Sequence, residues 1–413
     1  MAASSQVRRL TAWSLRSALI AASLVTAAHA DDWPQWRGGA VDGIADVKLP
    51  AKPRLDVAWT RDVGIGYSTV AVVGDRAYTA GWLDGQDNIW CLNAADGKVI
   101  WQHRYPIARY NKMHEGGPAA TPAVHDGRVF SLARDGRLFA LDAADGKPVW
   151  TKDLAKELGV REPDWAFSGS PVVAEGKLLI DVGRVLALDP KTGKVLWKTD
   201  DFGAAYSTPV PFTRQGRKLL ATFPRKGLTI LDFSTGVVIA QYGWRTDYGV
   251  NAATPIIVPG SAGKPDRIFV TSGYNTGCAM LEFDGKDLRV AWENREIRGQ
   301  MATPVLIGDH LYGFDENQLK CVAVATGEAV WSRDVEKAVR SFGKGALAAA
   351  GDMLVVQTDS GKVVLAKASP QGFDPVAQVQ AFNGRNVWVM PTVAAGRILA
   401  RSPQGTLAAI TVK

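Results

Sequence analysis

Near-copies of one ten-residue phrase constrain this chain more than any other feature. Leu92–Trp101 returns as Leu141–Trp150 and as Leu188–Trp197, with a looser copy at Val322–Trp331. The first three tryptophans stand 49 and then 47 residues apart. A self-similar unit of that length cannot bury its apolar face alone and must stack on its own copies.

The unit reads as β-structure. A shorter phrase precedes each copy: Thr121-Pro122-Ala123-Val124, then Gly127-Arg128-Val129-Phe130. Its cousins begin at Ser170, Thr208, Thr254 and Thr303. Each repeat thus holds four short apolar runs separated by Gly/Asp turns, which are strand lengths rather than helical periods. Asp142 is placed to accept hydrogen bonds from the backbone ahead of it, and Gly146 to take a positive φ. Four antiparallel strands per repeat, closed into a ring, describe a β-propeller.

The expected fold is all-β, an eight-bladed β-propeller of four-stranded blades. Trp59, Trp101, Trp150, Trp197, Trp292 and Trp331 mark six outer strands. Ala240 fills a seventh slot, and an eighth lies near Pro375. The count drops to seven if the weak repeat near 344–376 is not a blade. Trp59 has no inner strands before it, while residues 389–410 supply inner strands with no outer one. The strand around 56–60 is therefore expected to complete the last blade and close the ring, which removes the open sheet edges. The tryptophans are read as inter-blade packing, not chemistry.

The first 30 residues read as a secretory signal: Arg8, Arg9 and Arg16, then the apolar run Ala18–Ala27, then Ala28-His29-Ala30. Cleavage near Ala30 predicts a periplasmic or secreted protein, by the general secretory route in preference to the twin-arginine one. The remaining chain divides into an extension, 31–55, and one propeller domain, 56–413. The apolar run is too short to span a bilayer, and no other stretch is long enough. Losing the three arginines lowers the formal charge from +7 to +4. That mild charge, with no Lys/Arg run, disfavours nucleic acid.

Cys91, Cys278 and Cys321 are expected to be small buried residues. By the blade count Cys91 and Cys321 lie too far apart for a disulfide. No nucleophile elbow, zinc-protease motif or phosphate loop is present. Asp84-Gly85-Gln86-Asp87-Asn88 could hold a cation but reads better as a hairpin. No catalytic or metal-binding residue is assigned.

The pattern Asp-x-x-[Thr/Asp]-Gly-Lys-x-x-Trp, joined to the Thr-Pro phrase, resembles the pyrroloquinoline-quinone-like β-propeller family over essentially all of the chain from about residue 56. That resemblance implies the propeller fold and two kinds of function. One is partner binding, as in the lipoprotein of the outer-membrane barrel-assembly machine. The other is quinoprotein oxidation, with the quinone and a divalent cation in the axial funnel. The chain departs from the oxidoreductase pattern: it has no adjacent Cys pair, no Cys-x-x-Cys-His haem site, and it is shorter. It also lacks the lipidated Cys of the assembly lipoprotein. An exported binding or scaffold propeller, monomeric as a ring and engaging a protein segment or small ligand, is the favoured reading. Pyrroloquinoline quinone is not the favoured cofactor.

Loops between blades converge on the axial mouth just before each Thr-Pro phrase. Counting two residues back from the Thr slot gives Tyr67, Ala119, Ser168, Tyr206, Ala252, Met301, Lys344 and Trp388. Slightly earlier stand His114, Trp165, Phe167, Tyr248, Asn251, Arg298, Gln300, Arg340 and Arg385. Tyr67, Tyr206, Arg298, Arg340, Arg385 and Trp388 are the candidate ligand-binding residues. Aromatic faces and guanidinium groups at one opening suit a planar, anionic or peptide ligand.

Overall fold

The computed structural model describes residues 32–109, 114–333 and 344–413. The expected signal segment and Arg340 lie outside the described residues. The rest forms eight blades of antiparallel strands. The innermost strands of blades 1 to 8 are Ala71–Val73, Ala123–His125, Val172–Ala174, Val210–Arg214, Ile256–Val258, Val305–Ile307, Ala346–Ala350 and Thr392–Ala394. The weak repeat is a full blade, with further strands Met353–Gln357, Lys362–Lys367 and Pro375–Gln380. One short helix, Leu154–Leu158, is capped by the Asp153 carboxylate and ends on Gly159 at φ 63°.

Ring closure follows the sequence expectation. Leu55–Asp62 is the outer strand of blade 8 and pairs antiparallel with Thr406–Val412, Trp59 opposite Ala409. Arg401, 1% exposed, locks blade 8 to blade 1. Its guanidinium donates to the carbonyls of Ser68, Ala80 and Gly64 and to Thr79 Oγ1.

The repeated phrase has a mechanical meaning. Five of the outer-strand tryptophans lie on the Gly turn of the next blade and donate the indole N–H to a carbonyl there. Trp59 bonds Ala94, Trp101 bonds Ala143, Trp150 bonds Pro190, Trp197 bonds Phe233 and Trp292 bonds Val324, all at 2.9–3.2 Å. The turn itself is built as expected, with Ala144 N donating to Asp142 Oδ1 at 2.7 Å and Gly146 at φ 74°. Blade 4 has Ala240 in the tryptophan slot. There Phe212 and Phe283 meet edge to face at 6.3 Å, and Arg214 pairs with Asp266 at 3.3 Å.

The segment 32–45 crosses the axial channel as a strap. Trp33 pairs with Val72 of blade 1, with both N–H···O distances 2.8 Å. Pro34 O accepts from Val124 N of blade 2, and Gln35 Oε1 from Val173 N of blade 3, each at 2.8 Å. Trp36 Nε1 donates to Thr254 Oγ1 of blade 5 at 2.9 Å. The buried Arg37 guanidinium donates to the blade 6 carbonyls of Thr303 and Pro304. Ile44–Ala45 runs parallel to the innermost strand of blade 7. Inner strands would otherwise present unpaired N–H groups to the channel, which is costly.

Candidate functional site

The Thr-Pro phrases form a belt around the axis. Thr69 N donates to Thr121 Oγ1, Thr121 N to Ser170 Oγ, and Ser170 N to Thr208 Oγ1, at 2.9–3.1 Å. Thr254 N donates to Thr303 Oγ1 at 2.9 Å. At Thr254 Oγ1 the donor is the strap's Trp36. The slot holds Ala346 in blade 7 and Met390 in blade 8, so those blades bring no hydroxyl. Fixing the belt fixes the residues two positions back, because alternate residues of extended chain share a side.

All of those residues but Lys344 line one cup of about 140 Å³, open at the mouth. Tyr67, Ala119, Ser168, Tyr206, Ala252, Met301 and Trp388 all face it, with His114 and Trp165 from the loops. The rings form two groups. Tyr67 stacks on Trp388 at 5.8 Å and 22°, and His114 stands edge-on to Tyr67 at 5.1 Å. In the second group Trp165 meets Tyr206 at 5.9 Å and 71°, and Tyr248 links Trp165 to Tyr274 at 6.3 and 5.5 Å. Belt residues Ser170 and Thr208 and the strap's Trp36 also line it.

Among the described residues no Arg, Lys, Asp or Glu lines this cup. The two described candidate guanidinium groups, those of Arg298 and Arg385, have carboxylate partners. Arg298 grips Asp315 through Nε and Nη2 at 2.7 and 3.0 Å, and Lys320 adds a contact to the same carboxylate at 2.8 Å. Arg298 lies in a separate depression with Gln300 and Lys344, which are bonded to each other. Arg385 reaches Glu115 at 3.3 Å. Phe167 is buried in the core, and Asn251 is buried with its amide donating to Pro224 O at 2.9 Å.

Glu115 sits behind the Tyr67 wall, its carboxylate accepting from Tyr67 Oη and Gln404 Nε2, both at 2.7 Å, as well as from Arg385. Burial works to raise its pKa, but these donors together prevail and hold it below the usual carboxylate range. Burial and, after it, the same contact push the Tyr67 phenol well up. Burial lowers the His114 pKa, so its imidazole is neutral at pH 7, and its Nδ1 is buried with no hydrogen-bond partner.

Other candidate chemistry resolves structurally. Asp84-Gly85 is a hairpin turn with φ 53° and 81°, and Asp87 pairs with buried Arg134 at 3.1 Å. The three cysteines are buried free thiols. No group of three His, Cys, Asp or Glu among the described residues could hold a metal ion.

Sequence reasoning missed Trp36, Val250 and Tyr274 of the cup. Trp36 stands outside every repeat. Tyr274 is in the blade 5 hairpin turn, at φ 54° beside Asn275 at φ 57°. A turn residue that reaches the mouth gives no periodic signal.

Comparison with known proteins supplies the relatives. A family model described as outer membrane protein assembly factor BamB matches residues 108–333 and 315–413. BamB of Burkholderia pseudomallei is 27% identical over 68% of this chain and 71% of its own. Polyvinylalcohol dehydrogenase of Pseudomonas is 30% identical, over 44% of this chain and 30% of its own length. The chain thus spans under a third of that enzyme. In structure, BamB of Moraxella catarrhalis gives a TM-score of 0.58 at 17% identity, covering 86% of this chain and 97% of that one. Quinohemoprotein alcohol dehydrogenase of Comamonas testosteroni gives 0.66 at 14%, covering 92% and 80%. These two likenesses establish the fold.

Proposed function

The chain belongs to the family of the outer membrane protein assembly factor BamB, and from that membership we propose that it is a non-catalytic binding propeller that engages a protein segment at its axial mouth. The observation that carries this reading is the chemistry of the cup: aromatic, and free of charged side chains among the described residues. Stacking surfaces with little rotamer freedom suit an aromatic or apolar side chain presented by a partner. A cavity near 140 Å³ matches one ring, the size at which an apolar site of about 150 Å³ takes benzene. The apolar run Ala18–Ala27 and the family together support an exported protein that works as a monomeric ring. The proposed boundaries are a signal at 1–30, an extension at 31–55 and a propeller at 56–413.

Pyrroloquinoline quinone does not fit these residues. It is a polycarboxylate, and Arg298 and Arg385 are already committed to Asp315 and Glu115.

Calorimetric titration separates the two readings. N-acetylphenylalaninamide, a neutral single-ring probe, is expected to bind at the mouth. Tight, calcium-dependent binding of pyrroloquinoline quinone, accompanied by alcohol oxidation, would overturn the proposal in favour of the oxidoreductase reading.

A further inference from the structure

The strap does more than fill space. Its hydrogen bonds reach the innermost strands or belt positions of blades 1, 2, 3, 5, 6 and 7, and Val41 packs into the core shared by blades 3, 4 and 5. No other described segment spans the channel in this way. Arg37 is its anchor. The guanidinium is fully buried and is held by the carbonyls of Val41, Asp42, Thr303 and Pro304. Gly43, at φ 83°, makes room for it, since a Cβ there would stand 2.9 Å from Arg37 Cζ.

Trp36 is placed differently from its neighbours. Trp33 and Arg37 are 1% exposed, whereas Trp36 is half-buried and lines the cup. Its indole N–H is fixed on Thr254 Oγ1, within the belt that forms the base of the cup. Below it lies the channel that the strap occupies.

We infer that residues 32–45 are a built-in axial plug, and that the Trp36 indole is the floor that sets how deep a side chain enters the cup. The inference rests on the cup being the binding site. The ring alone supplies walls, and the strap converts an open channel into a site of fixed depth. Trp36 is thus a specificity-determining residue: it admits one aromatic ring and rejects a longer side chain. Removing the indole extends the cup downward along the axis.

Two probes read that depth on the full chain. N-acetylphenylalaninamide carries one ring, and N-acetyl-4-phenylphenylalaninamide adds a second ring end to end. The unaltered protein is expected to prefer the shorter probe. Trp36→Ala is expected to move the ratio of the two affinities toward the longer probe by about tenfold or more, with Trp36→Phe between. Amide exchange follows the plug itself. The N–H groups of Val72, Val124, Val173 and Ala349 are held by the strap. They should stay protected in Trp36→Ala and lose protection together in Arg37→Ala. If Arg37→Ala prevents folding, Trp33→Ala serves the same purpose. Probes that bind with an unchanged ratio in Trp36→Ala would overturn the floor while leaving the cup as the site. Failure of N-acetylphenylalaninamide to bind the unaltered protein would overturn the cup reading and the floor with it. Amides that exchange independently would overturn the plug as a unit.

Discussion

Trp101 leaves no room for a side chain at Gly146. A Cβ placed there would lie 2.5 Å from the indole Cε3, and Gly146 holds φ 74° besides. The two belong to neighbouring copies of one phrase, so the repeat encodes both halves of each inter-blade contact. Gly146→Ala is expected to cost about 2–4 kcal/mol through clash and backbone strain. Trp101→Ala should cost about 3–5 kcal/mol through lost burial and a cavity. The double variant should lose less than the sum, because removing the indole relieves the clash. Denaturant melts showing strict additivity would contradict the contact.

Arg401→Met removes one of the donors that join the last blade to the first. Three carbonyls and a hydroxyl lose their partner in a buried site, for an expected loss of about 3 kcal/mol or more. Deleting residues 55–62 should do worse by exposing the edge of Thr406–Val412, which light scattering would show as aggregation. Unchanged melting of either variant would count against closure by these groups.

The thiols should be silent in the native protein. Burial pushes Cys91 and Cys321 up to about 11 and Cys278 up to about 12, and the thiolate is the reactive form. A chromogenic disulfide reagent at pH 8 should label all three only after denaturation. Rapid labelling of the folded chain would show that one of them is accessible.

Glu115 gives the mouth a pH dependence of known sign. Its carboxyl holds a proton less tightly when folded than when unfolded. Its contribution to stability is therefore complete above the ordinary carboxylate range and is lost as pH falls through the folded value. Glu115→Gln should melt below the unaltered protein at pH 7, and the gap should close as pH falls below the ordinary carboxylate range. A gap that persists or widens in acid would refute the assignment.

Within the cup, stacking should outweigh charge. Trp388→Ala removes the partner of Tyr67 and should weaken N-acetylphenylalaninamide by about tenfold. Arg385→Ala should leave that affinity within about twofold, since its guanidinium is largely exposed and already bound to Glu115. Equal losses in the two variants would mean that the ligand is held by charge.

The ring was legible because its determinants are local and periodic. The Asp142 turn, the position of Trp59 and the count back from each Thr slot all depend on spacing alone. Pairings across the ring were not legible. Arg298 lies in the loop between blades 5 and 6 and Asp315 ends the blade 6 strand His310–Asp315, and no spacing rule links them, so a free guanidinium at the mouth was expected where a bidentate pair stands. The strap was missed for a similar reason. Its bonds to many blades use backbone groups and single side chains, which leave no pattern in its own sequence. Tyr274 entered the cup through a hairpin tip, where length and twist decide direction.

Leu55–Asp62 is made early and pairs only with Thr406–Val412 at the far end of the chain. Until that pairing forms, the folding protein is a crescent of blades with two unsatisfied rims, each able to hybridise with a neighbouring chain. The clasp that makes the finished ring edge-free is also its period of greatest vulnerability, so folding yield should depend on how crowded newly made chains are.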